Sequence, residues 1–200
     1  MEFEKLIVFE GLNGSGKATQ TKLLVDYLKS KNNPVETIEF PIYDSVIGKL
    51  IKDYLSEKKE QDTYFISLMY ELDRFQVRKK MLDILNEGKY LILDRYFYSN
   101  LTFQKVLAKD PNFMPWIKCV QGPLPKPKYK IYLKMPLEYT IENMKNKKKD
   151  WHEQDLEFMQ KVYDEYIELT KDWIIIECVK NNSLRTIGDI HNEVVLRLNL

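Results

Sequence analysis

Short apolar runs alternate along the chain with segments whose apolar residues recur at helical intervals. The runs are rich in β-branched and aromatic side chains, a composition typical of buried strands. They predict strands at residues 6–9, 35–40, 90–93, 129–133 and 173–178. Helical periodicity lies between and after them, at residues 19–28, 47–55, 62–86, 153–171 and 186–198. This alternation predicts an α/β protein with a five-stranded parallel sheet flanked by helices.

The segment 62–86 is predicted to be one long helix, because a single apolar stripe continues along it to Gly88. Residues 122–127 carry three prolines and are predicted to form a loop before the fourth strand. No internal repeat or linker interrupts the pattern. We therefore expect one domain over residues 1–200.

A glycine-rich loop joins the first strand to the first helix. It reads Gly11, Leu12, Asn13, Gly14, Ser15, Gly16, Lys17, the spacing of a Walker A phosphate-binding loop in its required context. Backbone N–H groups of such a loop hold phosphate oxygens, and Lys17 can bridge the terminal phosphates of ATP. The loop predicts the three-layer P-loop NTPase fold, with ligands beyond the carboxyl ends of the strands.

The position after Lys17 departs from the Walker A pattern. It normally carries the Ser or Thr that holds Mg²⁺, whereas this chain has Ala18, with Thr19 one place later. Both residues are counted here as part of the ATP-binding loop. Two arrangements stay open. Either Thr19 shifts inward, or Mg²⁺ is held mainly by ATP oxygens, water and a carboxylate such as Asp94 or Glu10.

Composition narrows the choice of partners. With 31 Lys and Arg against 30 Asp and Glu, the formal net charge is +1, so no general attraction to nucleic acid is expected. No apolar stretch reaches the roughly 18 residues that span a bilayer, and the N-terminus lacks a signal-peptide pattern. We therefore expect no membrane partner. Cys119 and Cys178 match neither a disulfide framework nor a zinc site, which suits a cytoplasmic protein.

Two pairs of residues suit a nucleotide site. Asp94 and Arg95 follow the third strand, where a carboxylate can approach the P-loop metal and a guanidinium can grip phosphate. The alternative is a strand-end ion pair. Tyr70 and Arg74 are four residues apart on a predicted helix and so share a face, where a ring and a guanidinium suit a nucleobase. The alternative is a core tyrosine beside a surface arginine.

Together these motifs resemble those of the thymidylate kinase family. The matching residues are Phe9-Glu10-Gly11 with its loop, Phe40-Pro41, Asp73-Arg74, Asp94-Arg95-Tyr96 with Ser99 and Gln104, and residues 124–127. They follow the family's order over nearly the whole chain. The resemblance implies transfer of the γ-phosphoryl group of ATP, with Mg²⁺, to dTMP, giving dTDP and ADP. It also implies a homodimer with helices packed face to face.

The resemblance further implies roles in the acceptor site. Tyr70 would stack on thymine, Arg74 would hydrogen-bond the carbonyl edge of the base, and Arg95 would contact the acceptor phosphate. The other acceptor-site residues that it implies are Asn13, Phe40, Pro41, Tyr43, Ser99, Asn100, Phe103 and Gln104. Among these, Gln104 is expected to contact the base or the sugar.

Three features depart from the family pattern. Asn13 stands where the family commonly has Asp near the sugar hydroxyl. Tyr43 stands where an arginine usually helps to hold the acceptor phosphate. The lid, at about residues 143–152, carries lysines where the family has arginine.

When the lid closes, its lysines are expected to bring positive charge to the transition state. We expect Lys149 to close over ATP as a catalytic residue, with Lys147 and Lys148 beside the ATP phosphates. The alternative for this run, which begins at Lys145, is a solvated helix end. Glu153 could orient a lid lysine or a metal-bound water.

Two other functions stay open from the sequence. The same fold could phosphorylate another nucleoside monophosphate or a deoxynucleoside. An alternative from a different class is a catalytically inactive nucleotide-binding protein, supported only by Ala18 and Tyr43. His152 and His191 have no partners at ligand or triad spacing, so neither is given a catalytic role.

Overall fold

The computed structural model describes residues 2–56, 61–146 and 150–200. Within them, the main sheet consists of β1 (Glu2–Glu10), β2 (Val35–Glu39), β3 (Tyr90–Asp94), β4 (Lys126–Lys134) and β5 (Ile174–Glu177). The strands lie in the order β2-β3-β1-β4-β5, and each neighbouring pair is parallel. The predicted five-stranded parallel sheet is confirmed.

Helices flank this sheet and connect its strands. They are α1 (Lys17–Ser30), α2 (Val46–Ser56), α3 (Thr63–Phe75), α4 (Arg78–Asn86), α5 (Phe97–Leu107), α6 (Phe113–Val120), α7 (Leu137–Met144), α8 (Trp151–Gln154), α9 (Leu156–Leu169) and α10 (Ile187–Leu198). A small antiparallel hairpin, β6 (Val179–Lys180) with β7 (Ser183–Leu184), precedes α10. No helix in the described part of the chain is both long enough and apolar enough to cross a membrane.

The three layers follow from the alternation of side chains along β1. Ile7 and Phe9 face one side of the sheet and pack with the apolar stripes of α1 and α10. Leu6 and Val8 face the other side and pack with residues of α4 and α5. All four side chains are fully buried. The central strand therefore carries core on both faces, as expected for a parallel sheet between two helical layers.

The prediction of one helix over residues 62–86 is wrong. The structure has two helices, α3 and α4, separated at Gln76 and Val77. The two helices pack against different parts of the protein, because α3 packs against α2 and α4 packs against the sheet. The Gln76 side chain donates to the Asp73 carboxylate and to the Asp73 carbonyl oxygen at the break. A continuous apolar stripe therefore concealed a break between two helices.

The prediction of one helix over residues 153–171 is also wrong. α8 is separated from α9 at Asp155, whose backbone is extended at φ −94° and ψ 95°. The Asp155 carboxylate accepts a hydrogen bond from the Phe158 N–H and caps α9. Asp150 and Glu153 form a reciprocal capping box on α8. Two helix starts thus lie within five residues of each other, at residues 151 and 156.

The prediction of a loop through residue 127 is wrong at its end, because Lys126 and Pro127 belong to β4. Pro127 is opposite Phe3 of β1, and the pairing of β4 with β5 begins only at Ile131. A missing N–H at Pro127 therefore removes no hydrogen bond to β5. The helix α6 and the β6-β7 hairpin were not predicted.

Candidate active site

A cavity of about 750 Å³ opens at the carboxyl edge of the sheet. Residues of the P-loop and the start of α1 form one wall, from Asn13 to Gln20. Glu39, Tyr43, Asp94 and Arg95 line it from the ends of β2 and β3 and the loops that follow them. The remaining lining residues are Lys52, Leu55, Ser56, Met135, Asn143, Met144, Asp150, Glu153, Leu184, Arg185, Ile187 and Ile190.

The P-loop turns tightly because its glycines adopt positive φ angles. Gly11 has φ 146° and Gly14 has φ 83°. A Cβ at Gly11 would lie 2.9 Å from the Leu133 carbonyl oxygen, and one at Gly14 would lie 2.8 Å from the Thr140 carbonyl oxygen. Side chains are therefore excluded at both positions, and the backbone can approach a ligand closely.

Lys17 is buried at the base of this loop. Its Nζ donates to the carbonyl oxygens of Gly11, at 3.0 Å, and Leu12, at 2.9 Å. Burial, together with the positive charge of Arg95, lowers the pKa of Lys17 to about 7. A negatively charged phosphate in the cavity would compensate for both effects. Ala18 and Thr19 line the cavity and are exposed.

Arg95 follows β3 in a left-handed backbone conformation, with φ 65°. Such a conformation costs a non-glycine residue on the order of 1 kcal/mol. It is held by a hydrogen bond from the Arg95 N–H to the Phe9 carbonyl oxygen, at 2.9 Å. The guanidinium donates to Ser99 Oγ, at 3.0 Å, and to Asn13 Oδ1. These two bonds hold the Arg95 guanidinium between the start of α5 and Asn13 of the P-loop.

The structure does not support Glu10 as a metal ligand. Its side chain is fully buried, and Oε1 accepts from the N–H groups of Tyr96 and Ser99 at 2.9 and 3.1 Å. Oε2 accepts from the hydroxyls of Ser99 and Tyr166 at 2.6 and 3.1 Å. Burial raises the pKa of Glu10. This carboxylate anchors the start of α5 and the residues around Arg95 instead of lining the cavity.

Asp94 does line the cavity, and a second carboxylate lies beside it. Glu39 ends β2 directly opposite Asp94 in the register of the sheet. Burial and the nearby Asp94 charge both raise the pKa of Glu39. Glu39 was not singled out from the sequence, since only the strand pairing brings it next to Asp94. No cluster of three or more His, Cys, Asp or Glu side chains suited to a metal occurs in residues 2–56, 61–146 and 150–200.

Tyr70 and Arg74 lie together on α3, as their spacing predicted. The Arg74 guanidinium lies 5.5 Å from the ring centroids of both Tyr70 and Phe40. It is buried and donates to the carbonyl oxygens of Tyr70 and Tyr96. The alternative of a surface arginine is therefore wrong. Arg74 Nε has no hydrogen-bond partner within the described residues.

The segment after β2 is held against α3 and α2. The Phe40–Pro41 peptide bond is cis, and the Asp73 carboxylate accepts from the Ile42 N–H at 3.2 Å. A Cβ at Gly48 of α2 would lie 1.9 Å from the Ile42 carbonyl oxygen, so only glycine fits there. These contacts fix the loop from which Tyr43 reaches the cavity.

The predicted nucleoside residues of α5 differ in what they contact. Ser99 bonds Arg95 and Glu10 as described above, and Phe103 lies 6.0 Å from the His152 ring between centroids. Gln104 is buried, and neither atom of its amide has a partner in the described part of the chain. Ser99 therefore holds the Arg95 guanidinium by a hydrogen bond, whereas the Gln104 amide can hydrogen-bond a ligand.

At the predicted lid, residues of α7 and α8 line the cavity next to the P-loop. The Asn143 amide donates to the Gly14 carbonyl oxygen at 2.9 Å, and the Asn13 amide donates to Glu153 Oε1 at 2.5 Å. Burial raises the pKa of Asp150 to about 6, with a further contribution from Glu153. Asn143 of α7 and Glu153 of α8 therefore contact the P-loop directly.

Of the lysines in the predicted lid, Lys145 lies within the described residues and does not line the cavity. Lys145 is exposed and pairs with Glu142. Lys147, Lys148 and Lys149 lie outside the described residues. Lys52, Asp150 and Arg185 also line the cavity, but they belong to no sequence motif that would predict them as site residues.

Aromatic packing holds α8 against the rest of the molecule. The Trp151 Nε1–H donates to the Tyr54 carbonyl oxygen at 3.2 Å, and its ring stacks on His152 with 3.6 Å between centroids. His152 is buried, and its Nε2 lies 3.3 Å from the Tyr54 hydroxyl. Burial lowers the pKa of His152 to about 4, so this ring is neutral near pH 7.

Comparisons with known proteins point to one family. The family model described as "Thymidylate kinase" matches residues 9–194. The chain is 33% identical over 193 residues to thymidylate kinase of Plasmodium falciparum, covering 96% of this chain and 88% of that protein. It is 30% identical over 193 residues to thymidylate kinase of Schizosaccharomyces pombe, covering 96% and 90%. The solved structure of thymidylate kinase from Candida albicans superimposes with a TM-score of 0.81 at 27% identity, covering 98% of this chain and 92% of that one.

Proposed function

The chain belongs to the thymidylate kinase family, and on that premise we propose how its cavity transfers the γ-phosphoryl group of ATP to dTMP, giving dTDP and ADP. The observation that carries this proposal is that Lys17 of the P-loop and Arg95 at the end of β3 line one cavity. The two cations are close enough for Arg95 to lower the pKa of Lys17. Donor and acceptor phosphates can therefore meet between them.

On the donor side, residues 11–19 hold the ATP phosphates. The backbone N–H groups of the loop and the N-terminus of α1 supply donors, and Lys17 supplies charge. Leu184, Arg185 and Ile187 line the same cavity beyond the P-loop, which supports their contact with the rest of ATP. Lys147 and Lys148 are proposed to lie beside the phosphates, and Lys149 to stabilise the transition state, on the sequence argument alone.

A divalent metal fits this site. Asp94 and Glu39 are adjacent carboxylates at the cavity wall, and a nearby cation would relieve their mutual repulsion. Mg²⁺ is usually held by one or two carboxylates together with substrate phosphates and water, so no larger cluster is required. When bound, Mg²⁺ would neutralise charge on the phosphates of ATP. We propose Asp94 as its protein ligand, with Glu39 beside it.

On the acceptor side, Arg95 grips the phosphate of dTMP and Tyr70 stacks on the base. Arg74 hydrogen-bonds the base, and its Nε, which has no partner among the residues that the structure describes, supports this role. Ser99 and Asn13 hold the Arg95 guanidinium in position. The further contacts proposed on this side are those of Phe40, Pro41, Tyr43, Phe103 and Gln104.

The reaction requires positioning more than covalent assistance. The attacking group is an oxygen of the dTMP phosphate, which is already ionised near pH 7, so no general base is needed. The residues above hold the two phosphates in line and balance the charge that spreads over the migrating group. The lid excludes water that would otherwise consume ATP.

We also propose that the protein is a homodimer in the cytoplasm. Phe65, Leu68 and Leu72 of α3 are 53%, 41% and 51% exposed and lie on one side of the helix. An exposed apolar face of this kind marks an interaction surface, and a second copy of the chain would cover it with its own α3. The near balance of charges and the two free cysteines support a cytoplasmic location.

The test is acceptor-dependent release of ADP across a panel of dTMP, dUMP, dCMP and thymidine. We expect turnover with dTMP, and Lys17→Ala should abolish it while circular dichroism stays unchanged. Lys22→Ala, on the exposed side of α1, is the matched control and should keep normal turnover. Release of ADP with thymidine alone would favour a deoxynucleoside kinase. ATP binding with no acceptor dependence would favour the inactive nucleotide-binding protein.

A further inference from the structure

The hydroxyl group of Tyr166 on α9 is buried beside the residues that hold Arg95. The Tyr166 side chain is fully buried, and its hydroxyl oxygen lies 3.1 Å from Glu10 Oε2 and 3.0 Å from Ser99 Oγ. Neither the sequence motifs nor the proposed reaction gives Tyr166 a role. Apolar packing explains its ring but not its hydroxyl, because a phenylalanine would fill the same space without a polar atom to satisfy.

The hydrogen atoms of this group can be assigned from its donors and acceptors. Four N–H and O–H groups donate to the Glu10 carboxylate, an environment that suits its ionised form. An ionised carboxylate can only accept, and Ser99 Oγ donates to it at 2.6 Å. The Arg95 guanidinium can only donate, and it does so to Ser99 Oγ at 3.0 Å. The single hydrogen of Ser99 therefore points to Glu10, which leaves the lone pairs of Oγ for Arg95.

Tyr166 completes this arrangement from the side of α9. Because the Ser99 hydrogen points to Glu10, Tyr166 is the donor in its contacts with Ser99 Oγ and Glu10 Oε2. The ring that carries the hydroxyl is fixed, since it stacks on Tyr132 of β4 with 5.3 Å between centroids and 12° between planes. Removal of the hydroxyl would leave space beside Ser99 Oγ, into which the serine hydroxyl or the carboxylate could turn. The acceptor that Arg95 uses would then no longer be fixed.

We propose that Tyr166 is a positioning residue, whose hydroxyl holds Ser99 and Glu10 in the arrangement that orients the Arg95 guanidinium for the acceptor phosphate. This inference rests on the proposed function. The hydrogen bonds lead from α9 through Ser99 to Arg95, so they concern the charged part of the acceptor and not its base. Loss of the Tyr166 hydroxyl should therefore weaken the binding of an acceptor that carries a phosphate and spare one that lacks it.

The test compares dTMP with thymidine, which has the same base and sugar but no phosphate. The dissociation constants of both are measured by calorimetry without ATP, and the dTMP constant is divided by the thymidine constant. This ratio reports the phosphate contact and does not depend on the base pocket. In Tyr166→Phe, which keeps the ring and its packing, the ratio should rise about tenfold. The KM for ATP should stay within about twofold of wild type.

Tyr132→Phe is the matched control. It removes a hydroxyl from the ring that stacks on Tyr166, and that hydroxyl is buried with no hydrogen-bond partner in the described part of the chain. Its ratio should stay within about twofold of wild type.

Ser99→Ala tests the same hydrogen bonds at the next residue. It removes the oxygen that links Tyr166 to Arg95, so the ratio should again rise about tenfold. Because the link is already absent in this variant, the addition of Tyr166→Phe should change the ratio by less than about twofold.

The outcomes separate this inference from the proposed function. If the wild-type protein releases no ADP with any monophosphate, the proposed function itself fails. If it phosphorylates dTMP but folded Tyr166→Phe keeps the wild-type ratio, or weakens dTMP and thymidine equally, Tyr166 does not position Arg95. Fully additive effects in the double variant, or an unchanged ratio in Ser99→Ala should Tyr166→Phe fail to fold, would also overturn the inference. A ratio that rises in Tyr166→Phe and Ser99→Ala but not in Tyr132→Phe supports it.

Discussion

Raising the pH should weaken ATP binding through the deprotonation of Lys17. Burial and Arg95 bring the pKa of this amine down to about 7 in the unliganded protein, from an ordinary value of 10.5. The triphosphate of ATP adds negative charge next to Nζ and should move the pKa back toward its ordinary value. ATP binding above neutral pH must then be accompanied by the uptake of a proton.

The size of the effect follows from the two protonation states. At about pH 8, only about a tenth of Lys17 is protonated in the free protein, so binding should take up about 0.9 proton. Between the two pKa values, ATP affinity should fall by about tenfold for each pH unit. The carboxylates that line the cavity add little at this pH, because Asp150, with a pKa of about 6, is already ionised.

Isothermal titration calorimetry measures this uptake directly, by comparison of binding enthalpies in two buffers with different ionisation enthalpies. Lys17→Met is the matched variant, since it keeps the length of the side chain and cannot titrate. Its weaker binding should show no uptake at about pH 8. The reasoning is refuted if wild-type protein binds ATP at about pH 8 with less than about 0.2 proton taken up, or if Lys17→Met takes up as much as wild type.

The remaining predictions concern the acceptor, stability and assembly. Arg74→Ala should raise the KM for dTMP at least about tenfold and leave the KM for ATP nearly unchanged, because the guanidinium lies beside Tyr70; a larger change for ATP would remove Arg74 from the base site. The free energy of unfolding should fall as pH drops from about 6.5 to about 4, because His152 takes up a proton in the unfolded chain and resists protonation in the folded chain. In His152→Phe, urea unfolding should show a fall that is smaller by up to about 3 kcal/mol. Equal pH dependence in the two proteins would contradict the burial argument. Leu72→Glu should convert a dimer to a monomer in sedimentation velocity, whereas Leu156→Glu on α9 should not; a wild-type monomer at micromolar concentration would refute the dimer.

The parts of the fold that could be read from the sequence are those determined by local pattern. The central strands β1 and β3 contain apolar runs that are buried on both faces of the sheet, and the P-loop has a fixed spacing between Gly11 and Lys17. The breaks at Gln76 and Asp155 could not be found in the same way. Apolar periodicity continues through both, and the choice to end a helix there depends on which neighbours each half packs against. Helix α6 was obscured because Pro115 lies in its first turn, where proline is tolerated.

The site was predicted where a residue's neighbours in sequence are also its neighbours in space. The contact between Tyr70 and Arg74 was predicted because a helix brings residues four positions apart together. Glu39 was missed because its partner Asp94 is on another strand. Glu10 was misassigned as a metal candidate because the N–H donors that surround its carboxylate come from the start of α5, more than 80 residues away.

Trp151, which contacts His152 and Tyr54, gives α8 its own fluorophore. The other two tryptophans lie elsewhere, with Trp116 against Tyr64 and Trp173 against Tyr98. A form of the protein with phenylalanine at both of those positions would emit from α8 alone. Its emission would then follow the departure of α8 from the P-loop in real time, without any attached dye and during turnover.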